Sequence, residues 1–156
     1  MTTLHHLSRL ALGLAAAFTL NLPAVSGNFT PLTYTPDEIH LAADPARPGG
    51  MSLASLAGGL EQPGLYAVRI RLPSQIRVQP HVHPDDRMVV VMAGTVLIGF
   101  GDRFDPAQMR PMPPGSFFVE PANTPHFAWV PGPDAIVQVS GIGPSATTYL
   151  NPGPAH

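Results

Sequence analysis

Hydrophobic residues in this chain form short runs separated by turn residues rather than long amphipathic stretches. Runs rich in valine, isoleucine and aromatic residues lie at positions 65–72, 88–93, 95–100, 116–119, 126–130, 135–140 and 147–150. Short runs spaced in this way are typical of an all-β sandwich or small barrel. Gly94 joins two of them, and the sequence Ala93-Gly94-Thr95 predicts a tight hairpin in which the glycine takes a positive φ.

The first residues follow a different pattern, which predicts an export signal. Residues 10–20 (LALGLAAAFTL) form an apolar run of eleven residues that follows a single arginine. A helix needs ~20 residues to span a bilayer, so this run is too short. Small residues at Ala24 and Ser26 occupy the positions that a signal peptidase reads. A first helix of the domain is the alternative, but the run is apolar on every face.

These patterns divide the chain into four parts. We predict a signal peptide over residues 1–26, an N-terminal arm over 27–50, one barrel over 51–152 and a tail over 153–156. The residues after the signal suffice for one core and not for two. The 20 prolines and 15 glycines mostly lie between the apolar runs, which indicates turns rather than disorder. The mature chain is expected to be periplasmic or secreted, with no membrane segment.

Composition removes several classes of chemistry. The chain has no cysteine, which excludes disulfides, thiolate metal ligands and cysteine nucleophiles. The formal charge is -2, with 12% charged residues and no run of lysine or arginine, so nucleic acid is not an expected partner. No serine lies in a Gly-x-Ser-x-Gly elbow.

Histidine carries the candidate chemistry. His81 and His83 are two residues apart, and on an extended strand this spacing directs both imidazoles to the same face. His126 begins a later apolar run, after a turn bounded by proline. Three imidazoles suit one divalent ion such as iron, manganese, nickel or zinc, and histidine alone does not select among them. The alternative is that these residues pack in a protein that has lost its metal.

The chain resembles the cupin superfamily in both of its sequence motifs. In the first motif, H-x-H is followed by glutamate and then, after six residues, by glycine; His81, His83 and Gly94 match, and Arg87 stands at the glutamate position. In the second motif, the matching residues are Gly115, Pro121 and His126, whereas Asn123 stands where the motif has glycine. The resemblance extends from about Pro48 to Pro152. Over this range the chain is similar to a group of small exported bacterial cupins.

This resemblance implies a double-stranded β-helix, or jelly-roll barrel, that holds one divalent metal ion through His81, His83 and His126. It implies a small-molecule ligand or substrate, with Arg87, Tyr66 and Trp129 as candidate binding residues. Cupins often pair, so we expect that a homodimer could form through the apolar segment 51–60, although the sequence does not exclude a monomer.

Arg87 is the departure with the largest consequence. A guanidinium cannot donate to a metal, so the predicted protein ligands are three histidines without a carboxylate, unless Asp85 or Asp86 turns inward. If the strand stays regular, Arg87 shares a face with His81 and His83 and needs an anion beside it. We favour one of the two aspartates as that anion over a substrate carboxylate, which a guanidinium also binds well.

Two classes of function follow from the resemblance. The first is a mononuclear metal-dependent dioxygenase or lyase that acts on a small organic molecule. The second is a non-catalytic periplasmic protein that binds or senses a small molecule. In one form of this hypothesis, Arg87 replaces a metal ligand and the metal site is degenerate. The fold does not choose between them, and no catalytic residue is assigned.

The export signal predicts the N-terminus of the native protein. Mass spectrometry of protein isolated from its own cells should find a chain that begins near Gly27, because cleavage is expected after Ser26. A native protein that retains residues 1–20 would contradict the prediction.

Overall fold

The computed structural model describes residues 30–43 and 48–150, and the predicted signal peptide and tail lie outside them. This part of the chain contains eleven β-strands and three short 3-10 helices, at Pro36–Glu38, Pro48–Gly50 and Pro106–Gln108. None of the described helices is long and apolar enough to cross a bilayer. The all-β prediction is confirmed.

The strands form two antiparallel sheets. The first sheet has six strands in the spatial order β1 (Ala42–Ala43), β2 (Ser52–Ala57), β3 (Gly64–Leu72), β10 (Ala135–Gly143), β5 (Arg87–Ala93) and β8 (Phe117–Glu120). The second has five, in the order β11 (Thr148–Tyr149), β4 (Arg77–Val82), β9 (His126–Trp129), β6 (Val96–Phe100) and β7 (Arg110–Met112). This arrangement is the predicted jelly-roll barrel.

The core lies between the two sheets. Along β3, alternate residues are buried, and Val68 and Ile70 stand beside Val139 and Val137 of β10. Val96 and Ile98 of β6 reach the same core from the second sheet. The alternation arises because successive side chains of a strand point to opposite faces, so one face of each sheet supplies the apolar interior.

Four strands, β1, β2, β4 and β7, lie outside the predicted apolar runs. Strand β4 (RVQPHV) is mixed in polarity and contains Pro80, which removes one backbone donor. The pairing of β4 with β9 shifts register between Val78 and His81, and a strand tolerates proline at such an irregularity. Met51 and Ala54, in the segment considered for dimerisation, are buried in the core of this chain.

The predicted hairpin at Gly94 is wrong. Strand β5 pairs with β10 and β8, whereas β6 pairs with β9 and β7, so the turn crosses from one sheet to the other. The expected positive φ is confirmed at 69°. A Cβ at this position would stand 2.5 Å from the carbonyl oxygen of Asp134, so close approach of the backbone also requires glycine here.

Gly99 of β6 allows β9 to pack closely beside it, which predicts a large effect of a small substitution. A Cβ at Gly99 would stand 2.5 Å from Cζ of Phe127 and closer still to Cε2, and that ring is 1% exposed. We expect Gly99→Ala to lower the free energy of unfolding by about 1–3 kcal/mol through overpacking.

Urea titration of the metal-free protein measures this effect. Gly132→Ala is the matched control, because an added Cβ there meets no atom within 4 Å. Equal unfolding midpoints for the two variants would show that the Phe127 ring moves aside without cost.

Candidate metal centre

Three buried histidines meet on the inner face of the second sheet. His81 lies on β4, His126 opens β9 directly opposite it in the strand ladder, and His83 follows the last residue of β4. The ring centroids are 4.2 Å apart for His81 and His126, 4.8 Å for His81 and His83, and 5.0 Å for His83 and His126. One ligand nitrogen of each ring lies within 4.8 Å of the other two, so the group could hold one metal ion.

Backbone carbonyls hold all three imidazoles in the same tautomer. The Nδ1 atoms of His81, His83 and His126 hydrogen-bond to the carbonyl oxygens of Gln79 at 2.7 Å, Ala146 at 2.7 Å and Thr124 at 2.9 Å. A carbonyl oxygen only accepts, so each Nδ1 carries the proton and each Nε2 keeps its lone pair. This is how ligand histidines are oriented in metal sites generally.

The state of the Nε2 atoms fits a divalent ion. Nε2 of His126 is buried and has no hydrogen-bond partner among the described residues. Burial lowers the pKa of His81 to about 4, and repulsion from His126 adds to the effect. Burial also lowers the pKa of His83 to about 2, with repulsion from Arg87 as the next cause. Both rings are therefore neutral near pH 7, which is the form that binds a metal.

The histidines line a cavity of about 90 Å³ that lies between the sheets and is partly open to solvent. Its other polar lining residues are Arg87, Glu120, Thr147 and Tyr149. Apolar side chains from both sheets form most of the remaining wall. A small site with mostly apolar walls and a few convergent polar groups is typical of small-molecule binding.

Arg87 faces this cavity, as predicted for a regular strand that continues from His81 and His83. The strand between these residues is nevertheless not regular. The chain bends at Pro84 and Asp85, and Arg87 is the first residue of β5. Alternate burial nevertheless continues through the bend, and Arg87 is only 7% exposed. Its Nη1 donates to Nε2 of His83 at 3.0 Å, and its Nη2 donates to Oγ of Ser145 at 2.6 Å.

Asp85 is the anion nearest to this guanidinium. Its Oδ1 lies 3.7 Å from Nε of Arg87 and accepts a 2.5 Å hydrogen bond from Ser145, which also contacts Arg87. Asp86 instead accepts from the backbone N–H of Ala122 at 2.7 Å. Asp85 is thus the internal partner of Arg87, and most of the connection runs through Ser145. Neither aspartate belongs to the group of histidines that could hold a metal ion.

Tyr66 and Trp129 are not among the residues that line the cavity. The Tyr66 hydroxyl donates to Oδ2 of Asp85 at 2.6 Å. Burial and then this bond raise the pKa of Tyr66 to about 12, so it stays protonated. Trp129 lies under the guanidinium of Arg77, 5.1 Å from the ring centroid, and its buried Nε1 has no partner among the described residues. A substrate-binding role for either residue remains a prediction.

Glu120 was missed by the sequence analysis. It ends β8, stands opposite Arg87 in the ladder, and has a side chain that is 12% exposed. Its Oε2 lies 3.6 Å from Nε2 of His126 and 3.8 Å from Nε2 of His83. Burial raises the pKa of Glu120, while attraction to His126 and Arg87 opposes the change. The available signal was the alternation of β8 (FFVE), which places Phe118 and Glu120 on one face.

Solved structures with a similar fold are cupin-type proteins. KdgF from Halomonas sp. is 23% identical over 73% of this chain and 96% of its own, with a TM-score of 0.56. An RmlC-like cupin from Shewanella frigidimarina is 19% identical over 75% of this chain and 91% of its own, with a TM-score of 0.55. Oxalate oxidase in complex with the substrate analogue glycolate is 23% identical over 70% of this chain and 59% of its own, with a TM-score of 0.53. No family model and no curated sequence matches the chain.

The geometry predicts that His126 is needed for metal binding. We expect His126→Ala to lose stoichiometric metal, measured by elemental analysis after loading and desalting. It should also lose the rise in melting temperature that added metal gives the parent protein, because an ion that binds only the folded state stabilises it.

His40→Ala is the control for this variant, since it removes an exposed histidine outside the group. Metal content that is unchanged in His126→Ala would show that the third ligand is misassigned.

Proposed function

We propose that this chain, which has the cupin fold, is an exported metalloenzyme of the dioxygenase or lyase class that acts on a small organic molecule. One divalent ion would be held by His81, His83 and His126. The observation that carries the proposal is the alignment of the three imidazoles, whose protonated Nδ1 atoms are fixed by carbonyls and whose Nε2 lone pairs converge in the cavity. Export rests on the sequence of residues 1–26.

When bound, the ion supplies a Lewis acid or, if it is iron, a means of activating oxygen. The surrounding residues contribute orientation and exclusion of water. Apolar side chains such as Val89, Ile98 and Phe118 line the cavity and would contact the apolar part of a substrate. Arg87 places a buried positive charge at the same cavity, where it would attract an anionic group.

Small carboxylates are the substrate class to examine first. The oxalate oxidase of similar fold holds glycolate, a two-carbon hydroxy acid. A molecule of this kind carries one carboxylate for the guanidinium of Arg87 and fits the small volume of the cavity. This support comes from the chemistry of the lining, since the likeness to that enzyme extends only to the fold.

The Arg87 contact favours a second candidate, a periplasmic protein that binds or senses a small molecule without catalysis. Nη1 of Arg87 donates to the Nε2 lone pair of His83, which a metal would also require. If that hydrogen bond persists in the working protein, the cavity keeps its shape and charge but has only two free imidazoles.

One experiment separates the two functions. The protein is purified from its native compartment, its metals are measured, and oxygen uptake and product formation are followed with a panel of small hydroxy and keto acids. The enzyme proposal predicts stoichiometric metal and turnover that ceases after chelation. Ligand binding by calorimetry without turnover, whether with tightly held zinc or with no metal, would support the binding protein instead.

A further inference from the structure

We infer that Glu120 is a fourth protein ligand of the ion, so that the carboxylate missing at position 87 comes from the residue opposite it in the strand ladder. The inference rests on the proposed metal site of His81, His83 and His126. It assigns the site three imidazoles and one carboxylate, with the carboxylate supplied by β8 and not by β5.

Distance supports this assignment. Oε2 of Glu120 lies 3.6 Å and 3.8 Å from the Nε2 atoms of His126 and His83. Two donors bound to one ion by bonds of about 2.1 Å are separated by roughly 3.0 to 3.4 Å at right-angle or tetrahedral geometry. Glu120 is therefore within a few tenths of an ångström of ligand spacing from two of the three histidines.

Strand geometry commits the Glu120 side chain to the cavity. Along β8, Phe117 and Val119 are 56% and 41% exposed, whereas Phe118 and Glu120 line the cavity. Because the side-chain period of a strand is two, turning Glu120 to the outer face of the sheet would require a register shift that also turned Phe118 outward. The pairing with β5 places it directly across from Arg87.

Charge gives an independent reason. A buried carboxylate is costly unless a cation or several donors offset it. In the described part of the chain, Glu120 contacts only the imidazoles of His83 and His126, and forms no ion pair with Arg87. The Nη donors of Arg87 are used by His83 and Ser145, with Asp85 beside them. A divalent ion between the histidines supplies the cation that Glu120 lacks.

The substitution that tests this inference is Glu120→Gln, which keeps the shape of the side chain and removes its negative charge. Glu61→Gln is the control, because Glu61 is exposed. Affinity for Zn²⁺ and Co²⁺ is measured by competition with a chelator on the full mature chain. We expect a loss of at least about tenfold for Glu120→Gln, in the range found when groups around a metal site are altered, and no change for Glu61→Gln. The visible absorption of the Co²⁺-loaded protein should also change, since it reports the atoms bound to the ion.

A rescue variant keeps the test decisive if Glu120→Gln alone is poorly folded. Adding Arg87→Glu puts a carboxylate on the opposite strand position and should restore most of the lost affinity. A folded double variant as weak as Glu120→Gln would overturn the claim that position 120 stands in for position 87.

Two further outcomes distinguish the failure of this inference from the failure of the proposed function. Equal metal affinity and an unchanged Co²⁺ spectrum in Glu120→Gln and the parent protein would overturn the role of Glu120 while the three-histidine site stands. A parent protein that binds neither Zn²⁺ nor Co²⁺ would overturn the metal site and this inference together.

Discussion

The pairing of β4 with β9 is the contact on which the site depends. It places His81 opposite His126, and the backbone bonds that hold each ring fix where its Nε2 points. Strand β9 is held from the other side by β6, where the absence of a side chain at Gly99 lets the Phe127 ring pack closely. The three-histidine group is thus built largely on the interior of a sheet, which is more rigid than a loop and would hold ligands at a defined separation.

Charge is arranged around that centre in a way the backbone enforces. Arg87 and Glu120 enter from neighbouring strands of the first sheet, and Asp85 reaches the guanidinium through Ser145. Each of these groups is costly in an apolar interior unless it has a partner. The hydrogen bond from Arg87 to His83 occupies the lone pair that a metal needs, so binding an ion would require the guanidinium to give up this contact.

The jelly roll explains how such a set of groups can face one small cavity. Two sheets place their inward residues on opposite walls, so histidines from one sheet meet an arginine and a glutamate from the other. The fold does not decide the reaction, because cupin-type barrels carry different chemistry on the same scaffold. In this chain, Arg87 and Glu120 occupy opposite positions of one strand pair and both line the cavity.

The sequence by itself determined the features that are local or periodic. Apolar runs located most of the strands, the spacing of His81 and His83 put both on one face, and Gly94 marked a positive φ. The tertiary structure decided what depends on register and on sheet membership: that the turn at Gly94 changes sheets, that a bend selects Asp85 over Asp86, and that Glu120 stands opposite Arg87. The physical reason is that packing of the whole barrel sets the pairing between strands distant in sequence. The sequence of a four-residue strand does not by itself specify which strand it pairs with.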